Sequence, residues 1–196
     1  MKNKDSSLEI EKLKEQDIDE VVDLHKENLN EGLLPSLGKP AMKMFYQASL
    51  NDPTCFGFVA RNASKIVGAT LCSTDYLELT KKFYSKNLFK LLFFSFSYLL
   101  THLNKIPDLL NISKSEGPHK ECLIFIFTDK NSRGLGIGSK LMRIASEEFK
   151  KRGSKEFLLE VNSENKANQF YKKLNGQFVK TYKFLGVERN VYRFQA

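Results

Sequence analysis

The segment that most restricts what this chain can become is residues 122–140, where an apolar run breaks into a glycine turn and resumes as an amphipathic helix. Cys122-Leu-Ile-Phe-Ile-Phe127 is six apolar residues long, too short for a typical helix and rich in β-branched and aromatic types, so it reads as a buried strand. Arg133-Gly-Leu-Gly-Ile-Gly138 follows a few residues later. Gly134, Gly136 and Gly138 let the backbone adopt positive φ and approach a ligand closely. The helix that starts there leaves its first N–H groups without intrahelical acceptors, and its dipole and Arg133 add positive potential. Such a junction suits phosphate oxygens, a pyrophosphate in particular. Two nucleotide-binding plans do not fit. A P-loop ends in Gly-Lys-Ser/Thr, whereas the order here is Gly138-Ser139-Lys140. A dinucleotide fingerprint opens its sheet, whereas this turn lies two thirds of the way along the chain.

Residues 161–178 carry a second pattern, Asn165-x-Ala-x-x-Phe-Tyr-x-x-Leu-x-Gly176. With the glycine turn about 25 residues before it, this resembles the GNAT superfamily of acyl-CoA-dependent N-acetyltransferases. The order of elements follows that family over about residues 8–195, and the specific motifs span 120–178. The resemblance implies an α/β (α+β) GNAT-like fold: a mixed, mostly antiparallel central sheet of six to seven strands flanked by helices, with a helical insertion after the third strand. It implies an N-acetyltransferase that takes acetyl-CoA as acyl-donor substrate, passes the acetyl group to a primary amine by direct attack, and requires no metal.

The family's site residues carry over position by position. The pyrophosphate would lie on the amides of Arg133, Gly134, Leu135, Gly136, Ile137, Gly138 and Ser139, and the pantetheine arm along Phe127 and Thr128, where neighbouring parallel strands part. Tyr171 takes the place of the tyrosine that protonates the leaving thiolate. A phenol, with an ordinary pKa near 10, suits that task. Asn165 falls where a side-chain amide contacts CoA or orders water, and it is equally placed to cap a helix. Asn165 and Tyr171 are six residues apart, where many family members have seven. The family's base is often a Glu on the central strand or an ordered water chain, which makes Glu121 at the start of that strand the first candidate here and Glu160 on the neighbouring strand the second, with His119 behind them; His25 and His102 read as surface or packing residues. Two readings from other classes stand beside the enzyme: a catalytically idle acyl-CoA sensor, and a peripheral membrane protein acting through a Leu88–Leu103 helix.

Composition is compatible with one sizeable core. The chain has 196 residues, 41% hydrophobic and 28% charged, with 16 Phe and no Trp to fill that core, so one domain over 1–196 is expected. A net charge of +8 favours anionic partners, which CoA satisfies in part, the remainder being a lysine-rich solvated surface. No nucleic-acid motif accompanies it. Cys55, Cys72 and Cys122 lie in apolar runs, are odd in number and lack metal-ligand spacing. They read as core thiols in a reducing cytoplasm, and the N-terminus shows no secretory h-region.

Periodicity predicts a first strand at Leu8, a helix over 16–28 that Asp17 can cap, and a loop with Gly32, Pro35 and Gly38 overhanging the acceptor site. A second helix over 39–50 with an apolar face of Ala41, Met44, Phe45 and Ala48 follows, then a hairpin through Asn62-Ala63-Ser64. Helices over 136–152, closed by Gly153, and 165–174 alternate with a strand over 157–162, and a hairpin turning at Leu185-Gly186 ends the chain. Residues 76–118 form an apolar helical insertion and linker. Its ten-residue stretch Leu91–Leu100 is short of the ~20 residues needed to span a bilayer. Its second face therefore needs a cover: a lid over the acceptor pocket, a second copy of the chain in a homodimer, or a membrane surface reached through Lys81, Lys82, Lys86 and Lys90. Tyr76, Phe83 and Tyr84 are the substrate-contact candidates.

Overall fold

Phe157, Leu159 and Val161 alternate along one strand and are all buried, so that strand feeds a core on one side of a sheet and presents Leu158, Glu160 and Asn162 to the other. The computed structural model describes residues 8–29, 32–101, 120–184 and 186–196. Seven strands, β1 (Leu8–Lys12), β2 (Cys55–Asn62), β3 (Lys65–Ser73), β4 (Cys122–Thr128), β5 (Glu156–Asn162), β6 (Gln177–Phe184) and β7 (Val187–Gln195), form one sheet in the order β1-β2-β3-β4-β5-β7-β6. Every neighbouring pair is antiparallel except β4 and β5.

Helices α1 (Ile18–Asn28), the single turn α2 (Leu33–Ser36), α3 (Lys39–Leu50) and the start of α4 (Tyr76–Thr101) cover one face. The other face is covered by α5 (Ile137–Lys151) and α6 (Ala167–Lys173). The apolar stripe Ile137, Leu141, Met142, Ala145 and Phe149 buries on Phe56, Phe157 and their neighbours, with Phe149 stacked 4.4 Å from Phe157. In the other cluster, Phe45 meets Phe83 edge-on at 5.1 Å, which docks α4 on α3.

Two local details differ from expectation, and a third, His25, takes the packing alternative rather than the surface one. Asp17 precedes α1, but its carboxylate accepts the Lys14 N–H at 2.9 Å and pairs with Arg61 instead of capping the helix. On α3 the buried face turns toward Met42 and Tyr46, leaving Met44 and Ala48 only partly covered. His25 is fully buried: its Nδ1 lies 2.9 Å from the Tyr46 hydroxyl and its ring between Phe125 and Phe127.

The insertion begins as one helix of 26 residues, earlier and longer than the Leu88–Leu103 stretch. Asp75 starts it by accepting the Glu78 N–H at 3.2 Å, and the Tyr76 N–H donates to the Lys120 carbonyl at 2.8 Å, tying its base to the entry of β4. Leu79, Phe83 and Leu91 are buried, whereas Phe89 is 85% exposed. Residues 102–119, including His102, His119 and the polar linker, lie outside the described residues, as does Leu185 of the last hairpin. Among the described residues, no helix is long and apolar enough to cross a membrane.

Candidate active site

The sheet opens at its one parallel junction. β4 and β5 share a single rung, Cys122 opposite Leu158, supported by the Leu158 N–H donating to the Glu121 carbonyl at 3.0 Å. Beyond it the strands carry no further pairing, so the edge of β4 from Leu123 to Thr128 faces a gap. A bulge accompanies the parting: Leu71 opposes Phe125 while Cys72 opposes Leu123, which leaves Ile124 as the extra residue on β4. The Thr70 hydroxyl donates to the Phe125 carbonyl at 3.0 Å and holds the distorted strand in place.

At the open end of that gap the glycine turn supplies bare amides. Gly136 sits at the head of α5 with φ of +75°, a conformation in which any other L-residue is strained, and the first helical bond runs from the Lys140 N–H to the Gly136 carbonyl at 3.0 Å. The N–H groups of residues 133–139 find no acceptor among the described residues. Gly138 is glycine for a different reason. A Cβ there would lie 3.2 Å from the ring of Phe170, so its absence lets α6 pack against the helix start. Arg133 is exposed and has no ion-pair partner among the described residues.

Gap and turn merge into one cavity of about 660 Å³. Of the residues singled out in the sequence, Phe127, Thr128, Arg133, Gly134, Gly136, Ile137, Gly138, Ser139, Glu160, Asn165 and Tyr171 line it. Leu135 does not; its side chain points away, 67% exposed, although its amide belongs to the same turn. Tyr171 is buried on α6 among Phe170, Tyr192 and Phe194, and its hydroxyl bonds to no described protein group. Burial raises that phenol well above its ordinary pKa, so it stays protonated. Asn165 lines the cavity and also accepts the Ala167 N–H through Oδ1 at 2.9 Å, which starts α6.

The two carboxylate candidates separate clearly. Glu160, on β5 just past the last rung, lines the cavity and accepts a hydrogen bond from the Tyr182 hydroxyl. After burial, its charge is the main influence that raises the Cys122 thiol, and it also raises the Tyr182 phenol. Glu121 lies before the parting, half-buried and outside the cavity lining. Tyr76, Phe83 and Tyr84 do not line the cavity either. Phe83 is packed in the core; Tyr84 lies edge-on to it, half in solvent; Tyr76 stands nearest the chemistry, its phenol raised by burial and by Tyr84, Cys122, Glu160 and Tyr182 in turn.

Several residues here escaped the sequence reading. Asn28 lines the cavity and, through Oδ1, accepts the Lys130 N–H at 2.9 Å, so the end of α1 is pinned beside the turn. Lys166 and Arg189 add cations to the lining. Asn168 is a buried hub: its Nδ2 reaches the carbonyls of Asn162, Ser163 and Asn165 at 2.8, 3.1 and 2.7 Å, and its Oδ1 accepts from Asn190 and Tyr192 at 2.8 and 3.0 Å. It falls on an unspecified position of the Asn165-x-Ala-x-x-Phe-Tyr pattern, so the sequence carried no signal for it.

The architecture is a mixed α/β sheet parted at its parallel pair, with an amide-lined helix start at the mouth of the gap. The chain belongs to the Acetyltransferase (GNAT) family, which it matches over residues 18–176. Its fold is shared by the polyamine N-acetyltransferase of Drosophila melanogaster, at a TM-score of 0.64 and 14% identity over 97% of this chain and 100% of that one. It is also shared by the PaiA N-acetyltransferase of Thermoplasma acidophilum, solved in complex with coenzyme A, at 0.60 and 14% over 97% and 99%. The ribosomal-protein-S18-alanine N-acetyltransferase of Escherichia coli aligns at 0.61 and 12% over 96% and 94%. No curated protein matches the sequence.

Proposed function

We propose that this protein transfers the acetyl group of acetyl-CoA to a primary amine by direct attack on the thioester. The observation that carries the proposal is the conjunction of the β4–β5 gap with the unpaired amides of residues 133–139 in one cavity. A diphosphate on those amides, beside Arg133 and Lys166, anchors one end of the donor. The amide groups of the pantetheine arm then take the place of the missing strand along β4, in the manner of an added β-strand. This directs the thioester toward the closed end of the gap, where Glu160 and Tyr171 approach from β5 and α6.

Glu160 takes a proton from the acceptor ammonium, directly or through one water, and the freed amine attacks the carbonyl carbon. As the tetrahedral adduct collapses, the carbon–sulfur bond breaks and Tyr171 gives its proton to the departing thiolate. The proton shed by nitrogen as the amide forms restores the phenol through solvent. The raised pKa of Tyr171 suits a donor and not a base, and the same burial destabilises a thiolate left in the cavity, which sustains the driving force for its protonation. Holding both reactants at the end of one gap supplies the rest of the acceleration by orientation.

The test is release of free thiol from acetyl-CoA with a panel of small primary amines, run beside a thermal shift with CoA. Turnover that falls about 10²- to 10³-fold in Glu160→Gln, with the CoA-induced shift retained, supports the assignment. Equal loss in Glu121→Gln and none in Glu160→Gln overturns the base; the absence of any CoA-induced shift overturns the whole reading.

A further inference from the structure

One cation in the cavity has no part in the chemistry above. Arg189 lines the cavity near the start of β7, has no carboxylate partner among the described residues, and buries its Nε without an acceptor. That Nε is closed off by the fold itself, so an anion in the cavity would meet the Nη edge of the guanidinium, which has no hydrogen-bond partner among the described residues. Its surroundings hold it in place. The ring of Phe184 lies 5.7 Å from the guanidinium carbon, and Nη2 comes within 3.7 Å of where a Cβ on Gly32 would stand, in the loop after α1.

The sheet register sets its relation to the proposed base. Asn162 opposes Arg189 and Glu160 opposes Val191, so Glu160 and Arg189 are diagonal neighbours on one face, about 7–8 Å apart at the backbone. The two long side chains present an anion and a cation to the same space, bridged in part by Tyr182, which opposes Arg189 on β6 and bonds to Glu160.

The geometry points to an acceptor that carries an oxyanion close to its amine: an amino-acid-like molecule whose carboxylate docks on Arg189 while its nitrogen reaches Glu160. A guanidinium binds a carboxylate through two parallel N–H···O bonds, which fixes the orientation of the small molecule as well as its charge. A diamine or polyamine is disfavoured, because its second ammonium would face Arg189. The position of the amine rests on the acetyl-transfer reading, whereas the docking of the oxyanion does not.

The test therefore measures binding as well as turnover. With CoA present, the common L-amino acids are compared by thermal shift and equilibrium dialysis with the same skeletons lacking the carboxylate, and with the matching aminophosphonates. At least one carboxylated amine binds, its decarboxylated counterpart binds about 10- to 100-fold more weakly, and Arg189→Gln abolishes the difference while Arg189→Lys restores part of it. A phosphonate that outcompetes the carboxylate reassigns the oxyanion to a phosphate-bearing acceptor and overturns the amino-acid form. No preference for the anionic amine, or a preference unchanged in Arg189→Gln, overturns the proposal, as does Arg189→Gln weakening CoA alone, which would give Arg189 to the donor. Preferential binding without turnover leaves the docking intact and refutes acetyl transfer instead.

Discussion

Replacing Asn168 with alanine removes a side chain whose bonds all stay within the fold, and the cost follows from its partners. The carbonyls of Asn162, Ser163 and Asn165 lose their shared donor, and the Tyr192 hydroxyl, on a side chain with no exposure, loses its acceptor. The Asn162 and Asn165 carbonyls keep the Asn165 and Asn168 N–H groups as donors; counting the tyrosine and the Ser163 carbonyl at about 1–3 kcal/mol each, the expected loss is about 2–4 kcal/mol. In urea, with an m-value of about 2 kcal/mol/M, the midpoint falls by roughly 1–2 M at unchanged slope. Asn168→Asp separates the two halves of the hub, because it keeps an acceptor for Tyr192 and Asn190 but turns an oxygen toward three carbonyls. It is expected to be no more stable than the alanine variant. A midpoint within ~0.5 M of wild type for either variant would refute the hub argument. The same loosening reaches the cavity, since the turn at 162–165 presents Asn165 and launches α6 with Tyr171. CoA affinity therefore drops together with stability.

Three further outcomes follow from the site. Tyr171→Phe lowers kcat about 10²-fold with little change in KM for acetyl-CoA; because the phenol is raised, the alkaline loss of wild-type activity from this group falls above the ordinary tyrosine range, and a titration of kcat showing it near or below pH 10 would count against the role. Gly136→Ala meets no atom within 4 Å and so costs about 1–2 kcal/mol through its positive φ alone, whereas Gly138→Ala, without that strain, acts through the Phe170 ring; calorimetry with CoA should show the larger affinity loss in Gly136→Ala, where the amides themselves are re-aimed. His25 is held by burial at about 4, below its ordinary 6.5, so its contribution is complete above pH 6.5 and is lost as pH falls toward 4, by about 3 kcal/mol. Urea midpoints measured across that window should decline in wild type and stay flatter in His25→Gln; equal slopes would exclude His25 as the cause.

What could be read beforehand was local in the chain. The glycine turn, the strand before it and the Asn-x-Ala pattern each lie within one short segment, where spacing alone carries the chemistry. The choice between Glu121 and Glu160 depended on where β4 and β5 cease to pair, and the bulge at Ile124 breaks the strict alternation that a pattern would follow. Asn168 and Arg189 act through partners on other elements, Asn190 and Tyr192 in one case and the loop at Gly32 in the other, which only the folded sheet brings near. Phe83 fell among the acceptor contacts because an apolar helix does not reveal which of its sides docks; here Phe45 takes it into the core.

The solitary rung between Cys122 and Leu158 has a mechanical consequence. Strands β1–β4 and β5–β7 are two half-sheets joined along a seam that is stitched at one end only, so whatever threads the open length becomes part of the scaffold itself. A donor bound there would weld the halves together, and the protein would resist unfolding in proportion to the logarithm of how far its ligand exceeds Kd. On the proposed reading, acyl transfer would entail a cycle of stiffening and release, the emptied coenzyme holding the seam closed until it departs.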